Sequence, residues 1–168
     1  IFLATISQKE NGKVYDKFRA RIMFPIHNLA SKTIAFGGRS LDPAEKAKYM
    51  NSPETALYKK SQVLYGLNFS RNAIARSREV IFVEGYMDFL QLYQAGVENV
   101  VSVSGTALTK EHSQILKQYS KTAYLVFDGD QAGQKAASRS IPILLEADFY
   151  VKVLLLLPDE DPDSIVKM

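Results

Sequence analysis

Four stretches of the chain are predominantly apolar: 80–83 and 123–127 without a break, 99–103 with three valines, and 150–157 interrupted only by Lys152. Apolar runs without alternation read as strands buried on both faces, the usual state in a parallel sheet. Helical patterns separate them. Residues 89–95 form a short amphipathic helix closed by Gly96. Thr109 is placed to cap a helix reaching Tyr119, and 131–145 is a third helix that Pro142 should kink or end early. Strand–helix alternation with right-handed crossovers predicts a parallel sheet of about four strands flanked by helices.

The pattern before Glu79 is different. Residues 1–7 are apolar and finish an element, and 8–13 is a turn rich in Asn and Gly chemistry. Within residues 17–26, basic and apolar positions alternate before Ile22, which predicts a strand with one wet face. Pro25 argues for an edge or a strand end. Residues 32–39 suit the other half of a hairpin; 42–49 read as a loop or a single helical turn, and 51–55 as loop. Residues 67–78 have helical periodicity, with Leu67, Ala73 and Ile74 facing inward and Arg76 and Arg78 at the C-terminal end. The expected architecture is α/β, a parallel sheet flanked by helices at 79–168, preceded by a small antiparallel α+β subdomain at 1–78.

Composition narrows the chemistry. The chain has 168 residues, is 46% hydrophobic and contains no cysteine. Disulfides and thiolate zinc sites are therefore excluded within it, and a reducing cytosol fits. No apolar run is long enough to span a bilayer, and the first residues lack a signal-peptide pattern. Beginning at Ile1 and stopping at Met168 just after a new element starts, the sequence reads as a piece of a longer protein. The net charge of +3 hides an asymmetry. Residues 1–78 carry fourteen Lys/Arg against five Asp/Glu, net +9; residues 79–168 carry seven against thirteen, net −6. A basic half suits polyanions, and an acidic half suits a metal ion.

Three of the apolar runs end in acids: Glu84-Gly85 with Asp88 behind, Asp128-Gly129-Asp130 with Gly133 behind, and the 158–163 segment with Asp161 and Asp163. In open α/β sheets ligands bind at the carboxyl ends of the strands. Two like charges about 4 Å apart repel by roughly 4 kcal/mol at an effective dielectric near 20, so such a cluster needs a cation or a bound proton. Hard oxygen donors favour Mg²⁺ or Mn²⁺, and two such ions can clamp the attacking and leaving oxygens of a phosphoryl displacement. Singly, Asp130 reads as a helix cap and Asp161 and Asp163 as a solvated turn. Glu84 has no evident capping duty.

Two of these motifs, Val83-Glu84-Gly85-Tyr86-Met87-Asp88 and Phe127-Asp128-Gly129-Asp130-Gln131-Ala132-Gly133, resemble the signatures of the Toprim fold. Arg19-Ala20-Arg21-Ile22-Met23-Phe24-Pro25-Ile26, Phe36-Gly37-Gly38-Arg39, Lys48-Tyr49-Met50-Asn51-Ser52-Pro53-Glu54-Thr55 and Leu64-Tyr65-Gly66-Leu67 resemble bacterial primase motifs. With Asp159 to Asp163, the likeness to the DnaG-type replicative primases covers nearly the whole chain.

The resemblance implies a DNA-directed RNA polymerase that makes short RNA primers on single-stranded DNA from nucleoside triphosphates. It implies Glu84, Asp128 and Asp130 as catalytic metal acids, with Asp88, Asp161 and Asp163 as further acidic positions and Mg²⁺ or Mn²⁺, two ions, as cofactor. It implies Arg19, Arg21, Arg39, Lys48, Tyr49, Asn51 and Lys60 as the nucleic-acid and nucleotide surface. It also implies a bacterial cytoplasmic protein at the replication fork, with no membrane partner. A zinc-binding module and a region that binds the replicative helicase are family parts outside this sequence. The alternatives are a Toprim topoisomerase or nuclease, or a non-catalytic DNA-binding recombination module. Against them stand the match over 48–55, the absence of a clear tyrosine nucleophile, and the retention of all the acids. A dehalogenase-type phosphatase with Asp128 as nucleophile is disfavoured by Gln131-Ala132.

Overall fold

β-branched and aromatic side chains crowd the four apolar runs, and in the computed structural model each run becomes a strand of one parallel sheet. The structure describes residues 5–8, 12, 14–158 and 160–162. Strands β6 (Glu79–Val83), β7 (Val100–Ser102), β8 (Thr122–Leu125) and β9 (Tyr150–Val153) are ordered β7-β6-β8-β9, every neighbouring pair parallel. Helices α1 (Leu67–Ser77), α2 (Tyr86–Gln94), α3 (Lys110–Lys117) and α4 (Gln131–Glu146) complete this region. Val80, Phe82, Ala123 and Leu125 lie on one face of the sheet, fully buried together with Ile74, Leu116 and Leu144 from the helices. Burying a side chain of this size contributes about 1.5–3 kcal/mol, so this layer is what holds β6 and β8 in register.

The strand order matters for function. From β6 the chain passes through α2 to β7 on one side, then crosses to β8 on the other and through α4 to β9. Right-handed crossovers running in opposite directions send their helices to opposite faces. The carboxyl ends of β6 and β8 therefore open a crevice at the switch in strand order, where α/β proteins bind ligands.

The chain packs as two units, Ile1–Lys59 and Lys60–Met168. The packing division precedes the change of chemistry at 78/79, because α1 leans on β6 and β7 and a short 3-10 turn at Lys60–Gln62 lies against α3. The first unit holds a two-stranded ladder, β1 (Ile6–Gln8) with β2 (Val14–Asp16). It also holds an antiparallel sheet of β3 (Arg21–His27), β4 (Thr33–Ser40) and β5 (Tyr49–Asn51), in the order β3-β4-β5. The expected hairpin is present. Its turn is set by the Asn28 carboxamide oxygen, which accepts from the backbone of Ala30 and Lys32, both at 3.0 Å. Pro25 sits on β3, an edge strand among the described residues.

Several boundaries differ from expectation for identifiable reasons. Residues 49–51 are a strand, not loop: three residues are too few for periodicity to register, and the pairing with β4 makes them one. Helix α2 begins at Tyr86 rather than 89, since the Asp88 carboxylate accepts the Gly85 N–H at 2.8 Å and caps it. Ala73 is only half-buried; the buried face of α1 is Leu67, Ser70 and Ile74. Pro142 neither ends nor interrupts α4, which continues to Glu146. It lies on the exposed side of the helix, where water can satisfy the freed carbonyl. The last strand stops at Val153, because its partner β8 ends at Leu125; Leu154, Leu155 and Leu157 then run exposed.

Candidate metal centre

The chain leaves β6 at Glu84, and the carboxyl end of β7 pins that point. The Glu84 carbonyl accepts from the Ser102 hydroxyl at 2.9 Å and from the Ser104 N–H at 3.0 Å. Ser102 is fully buried. Glu84 is thus held by its backbone, and its carboxylate reaches toward the end of β8. There the Asp128 N–H donates to Glu84 Oε1 at 3.4 Å, so the two strand-end acids are neighbours.

Two glycines make room for this. A Cβ on Gly129 would stand 1.8 Å from the Leu157 carbonyl oxygen, and one on Gly133 would stand 2.2 Å from the Asp128 carbonyl oxygen. The Gly129 N–H in turn donates to the Glu160 carbonyl at 2.9 Å, which brings Glu160 against the Asp128 loop.

The electrostatics follow from burial and repulsion. Desolvation, then the charge of Asp128, pushes the Glu84 carboxyl up to about 7; Asp130 and Asp88 add to the rise. Burial also raises Asp128, reinforced by Asp161 and Asp130. One Asp128 carboxylate oxygen, Oδ1, is buried with no hydrogen-bond partner among the described residues. A buried unpaired acceptor costs about 1–3 kcal/mol. Its neighbours are acids, and a proton or a cation would satisfy it while relieving their repulsion.

The other predicted acids divide by duty. Asp130 is exposed and caps α4, its Oδ1 accepting from the Gly133 N–H at 2.8 Å. Asp88 caps α2. Asp161 lies close enough to raise Asp128. Asp163 lies outside the described residues. Among the described residues no three acids or imidazoles are drawn into a ready-made cage. The buried Asp128 oxygen and the all-oxygen donor set nevertheless fit a divalent cation of the Mg²⁺ kind, which takes one or two carboxylates and keeps its waters.

The predicted basic residues fall on three kinds of surface. Arg39 and Tyr49 are cross-strand partners on β4 and β5, the guanidinium 5.9 Å from the ring centroid, and Asn51 follows on the same face opposite Gly37. Lys48 is exposed, and Arg19 is exposed beside the Tyr15 ring. Arg21 is different: its side chain is only 5% exposed and is occupied by backbone carbonyls. Lys60 begins the 3-10 turn of the second unit, and its carbonyl is bonded by the buried His112 ring at 3.0 Å. His112, Ser102 and the tight fit of Gly129 and Gly133 escaped the sequence reading. Gly133 was visible as part of a motif, but the contacts of the two serine and histidine side chains leave no local signal.

Residues 2–71 match the N-terminal domain of the DNA primase catalytic core, and residues 81–166 match a Toprim-like family. The chain is 46% identical over 160 residues to the DNA primase of Clostridium acetobutylicum, covering 95% of this chain and 26% of that protein. It thus spans about a quarter of the length of such relatives. A DNA primase domain from Pseudomonas aeruginosa superposes with a TM-score of 0.92 at 43% identity, over 98% of this chain and 52% of that one. A DnaG primase catalytic domain bound to single-stranded DNA superposes with a TM-score of 0.88 at 35% identity, over 98% and 54%. No helix among the described residues is long and apolar enough to cross a membrane.

Proposed function

The chain belongs to the DnaG-type bacterial primases as part of their catalytic core, and on that premise we propose that it carries the nucleotidyl-transfer site of an RNA polymerase. The full-length protein would make short RNA primers on single-stranded DNA in the bacterial cytoplasm, at the replication fork. The observation that carries the reading is the apposition of Glu84 and Asp128 at adjacent strand ends, with one Asp128 oxygen buried and unpaired among the described residues.

In this reaction a primer 3′-hydroxyl attacks the α-phosphate of a nucleoside triphosphate and pyrophosphate leaves. Catalysis is mostly positioning and charge neutralisation. Glu84 and Asp128 would hold divalent cation, with Asp88, Asp130, Asp161 and Asp163 as further acids around them. Such a cation supplies neutralisation of phosphate charge and activation of the attacking oxygen. Gly85 and Gly129 keep side chains out of the turns that carry the two acids. Nucleic-acid contacts are assigned to Arg19, Arg39, Lys48, Tyr49 and Asn51 in the first unit and, separately, to Lys60 in the second: Arg grips phosphate in a fork, Lys acts as a point charge, and Tyr49 offers a ring for a base to stack on. A related catalytic domain bound to single-stranded DNA supports DNA as the partner. Helicase contacts and the zinc-binding module belong to other parts of the family's full-length proteins.

The direct test gives the full-length protein single-stranded DNA, nucleoside triphosphates and Mg²⁺. Short RNA products are expected; strand cleavage, or DNA binding with no synthesis, would overturn the proposal in favour of a topoisomerase, a nuclease or a recombination module.

The pH dependence has a definite sign. Glu84 is raised from 4.5 to about 7 in the folded chain. The protonated form is thus favoured by folding, so its contribution is fully present below 4.5 and is lost as pH rises to about 7. Metal-free protein should lose stability over that window, and Mn²⁺ affinity should rise over it as proton and cation compete. Melting curves in EDTA and Mn²⁺ titrations between these limits check both. Glu84→Gln should flatten both trends, and curves parallel to those of the parent would remove Glu84 from the site.

The basic surface has its own signature. A lysine that touches single-stranded DNA phosphate should reduce the salt slope of log affinity by about 0.7 when replaced. Lys48→Ala and Lys60→Ala are each expected to do so in DNA-binding titrations across a salt series. Parent slopes in both would move the phosphate track to other residues.

A further inference from the structure

Arg21 is the one predicted nucleic-acid residue that the fold has buried. It opens β3 opposite Ser40, and its side chain runs across Gly38, where a Cβ would come within 3.2 Å of Arg21 Cδ. Beyond Gly38 it reaches the chain entering β5. Its Nη1 donates to the Ala47 carbonyl at 2.8 Å, with the carbonyls of Gly38 at 3.3 Å and Lys48 at 3.4 Å close by. Nη2 stands 3.9 Å from the Glu45 carboxylate, and Glu45 also accepts the Ala47 N–H at 3.2 Å. A buried guanidinium persists only where its donors are met, and these acceptors meet them.

The segment it holds has little else to hold it. Every residue from 41 to 48 is exposed, including Leu41 at 63%. The remaining bonds of residues 42–45 are local turns around Ser40 and Asp42. With no apolar anchor, the approach to β5 depends on Arg21 and on the Ser40 N–H bond to the Lys48 carbonyl at 2.8 Å. The next residues are Lys48 and Tyr49.

We propose that Arg21 is a positioning residue: it does not contact nucleic acid but fixes the 45–48 segment so that Lys48 and Tyr49 present a charge and a ring to single-stranded DNA. The inference rests on the reading of Lys48 and Tyr49 as a DNA surface, so its test has one arm without DNA. In that arm the full-length protein and its Arg21→Ala variant are digested briefly with trypsin, and cleavage after Lys46 and Lys48 is followed by mass spectrometry. Arg21→Ala should raise these rates several-fold while cleavage elsewhere keeps the parent rate. Where Arg21→Ala fails to fold, Arg21→Gln, which keeps two donors, takes its place. Parent rates after Lys46 and Lys48 would overturn the anchoring role.

The second arm is a cycle of single-stranded DNA affinities over a salt series. Arg21→Ala alone should weaken binding at least about fivefold, the loss of roughly one stacked base or more. In a Lys48→Ala, Tyr49→Ala background the same change should do nothing further. A direct phosphate ligand would weaken binding equally in both backgrounds and remove a further ~0.7 of salt slope in each, and that result would overturn the proposal. A loosened segment with unchanged DNA affinity would leave the anchor in place and overturn the DNA-facing role assigned to Lys48 and Tyr49, and the inference with it.

Discussion

Replacing Asp128 with alanine is expected to reduce primer synthesis by the full-length protein at least ~100-fold while leaving it folded. The carboxylate sits beside Glu84 and keeps one oxygen buried without a partner among the described residues. Holding a cation against triphosphate charge accounts for several kcal/mol of barrier, and each 1.36 kcal/mol is about tenfold in rate. The stability side runs the other way. Removing the acid relieves the Glu84 repulsion and the unpaired acceptor, so the metal-free variant should melt at the parent temperature or above it. The same change at Asp130 makes a contrast. That carboxylate caps α4, so Asp130→Ala should cost about 1 kcal/mol of stability whatever it does to synthesis. Nucleotide incorporation on single-stranded DNA, with melting curves in EDTA, reads all four quantities. An Asp128→Ala protein that unfolds, or one that keeps near-parent synthesis, would remove the residue from the place assigned to it.

Gly133→Ala is the second large effect. Gly133 is the third residue of α4, where alanine would normally gain about 1 kcal/mol of helix propensity. Here its Cβ would fall 2.2 Å from the Asp128 carbonyl oxygen and 2.9 Å from two further backbone atoms of Asp128. Backbone cannot rotate aside as a side chain does, so either the helix start or Asp128 must shift. Overpacking of this kind costs about 1–3 kcal/mol, and the displaced atoms belong to the residue that pairs with Glu84. The expected result is a lower melting temperature together with a loss of synthesis approaching that of Asp128→Ala. Gly96→Ala serves as the control, because nothing lies within 4 Å of its Cβ, although its φ of +93° carries its own strain. A Gly133→Ala protein as stable and active as the parent would show that the Asp128 loop has room the structure does not display.

Much of this protein was legible before any coordinates. The unbroken apolar runs at 80–83 and 123–127 could be satisfied only by burial, and burial of consecutive residues on both faces means a parallel sheet with helices over it. That alone put Glu84 and Asp128 at strand ends, since each follows its run directly. The charge asymmetry and the family motifs were legible for the same reason: they are properties of residue order, which folding does not change.

Tertiary structure decided what depends on partners distant in the sequence. Asp130 and Asp128 are two residues apart in one motif, yet one caps a helix and the other is half-buried against Glu84, forty-four positions earlier. Residues 49–51 became a strand because β4 was there to pair with them. The apolar run at 150–157 stopped being a strand at Val153, because β8 ended beside it. Ser102 became a clamp on the Glu84 backbone through a contact across eighteen residues. Arg21 carries the same charge as Arg19, and only one of them found carbonyls within reach of its fork. Hydrophobic periodicity is written along the chain, whereas hydrogen-bond partners and close packing are set across it.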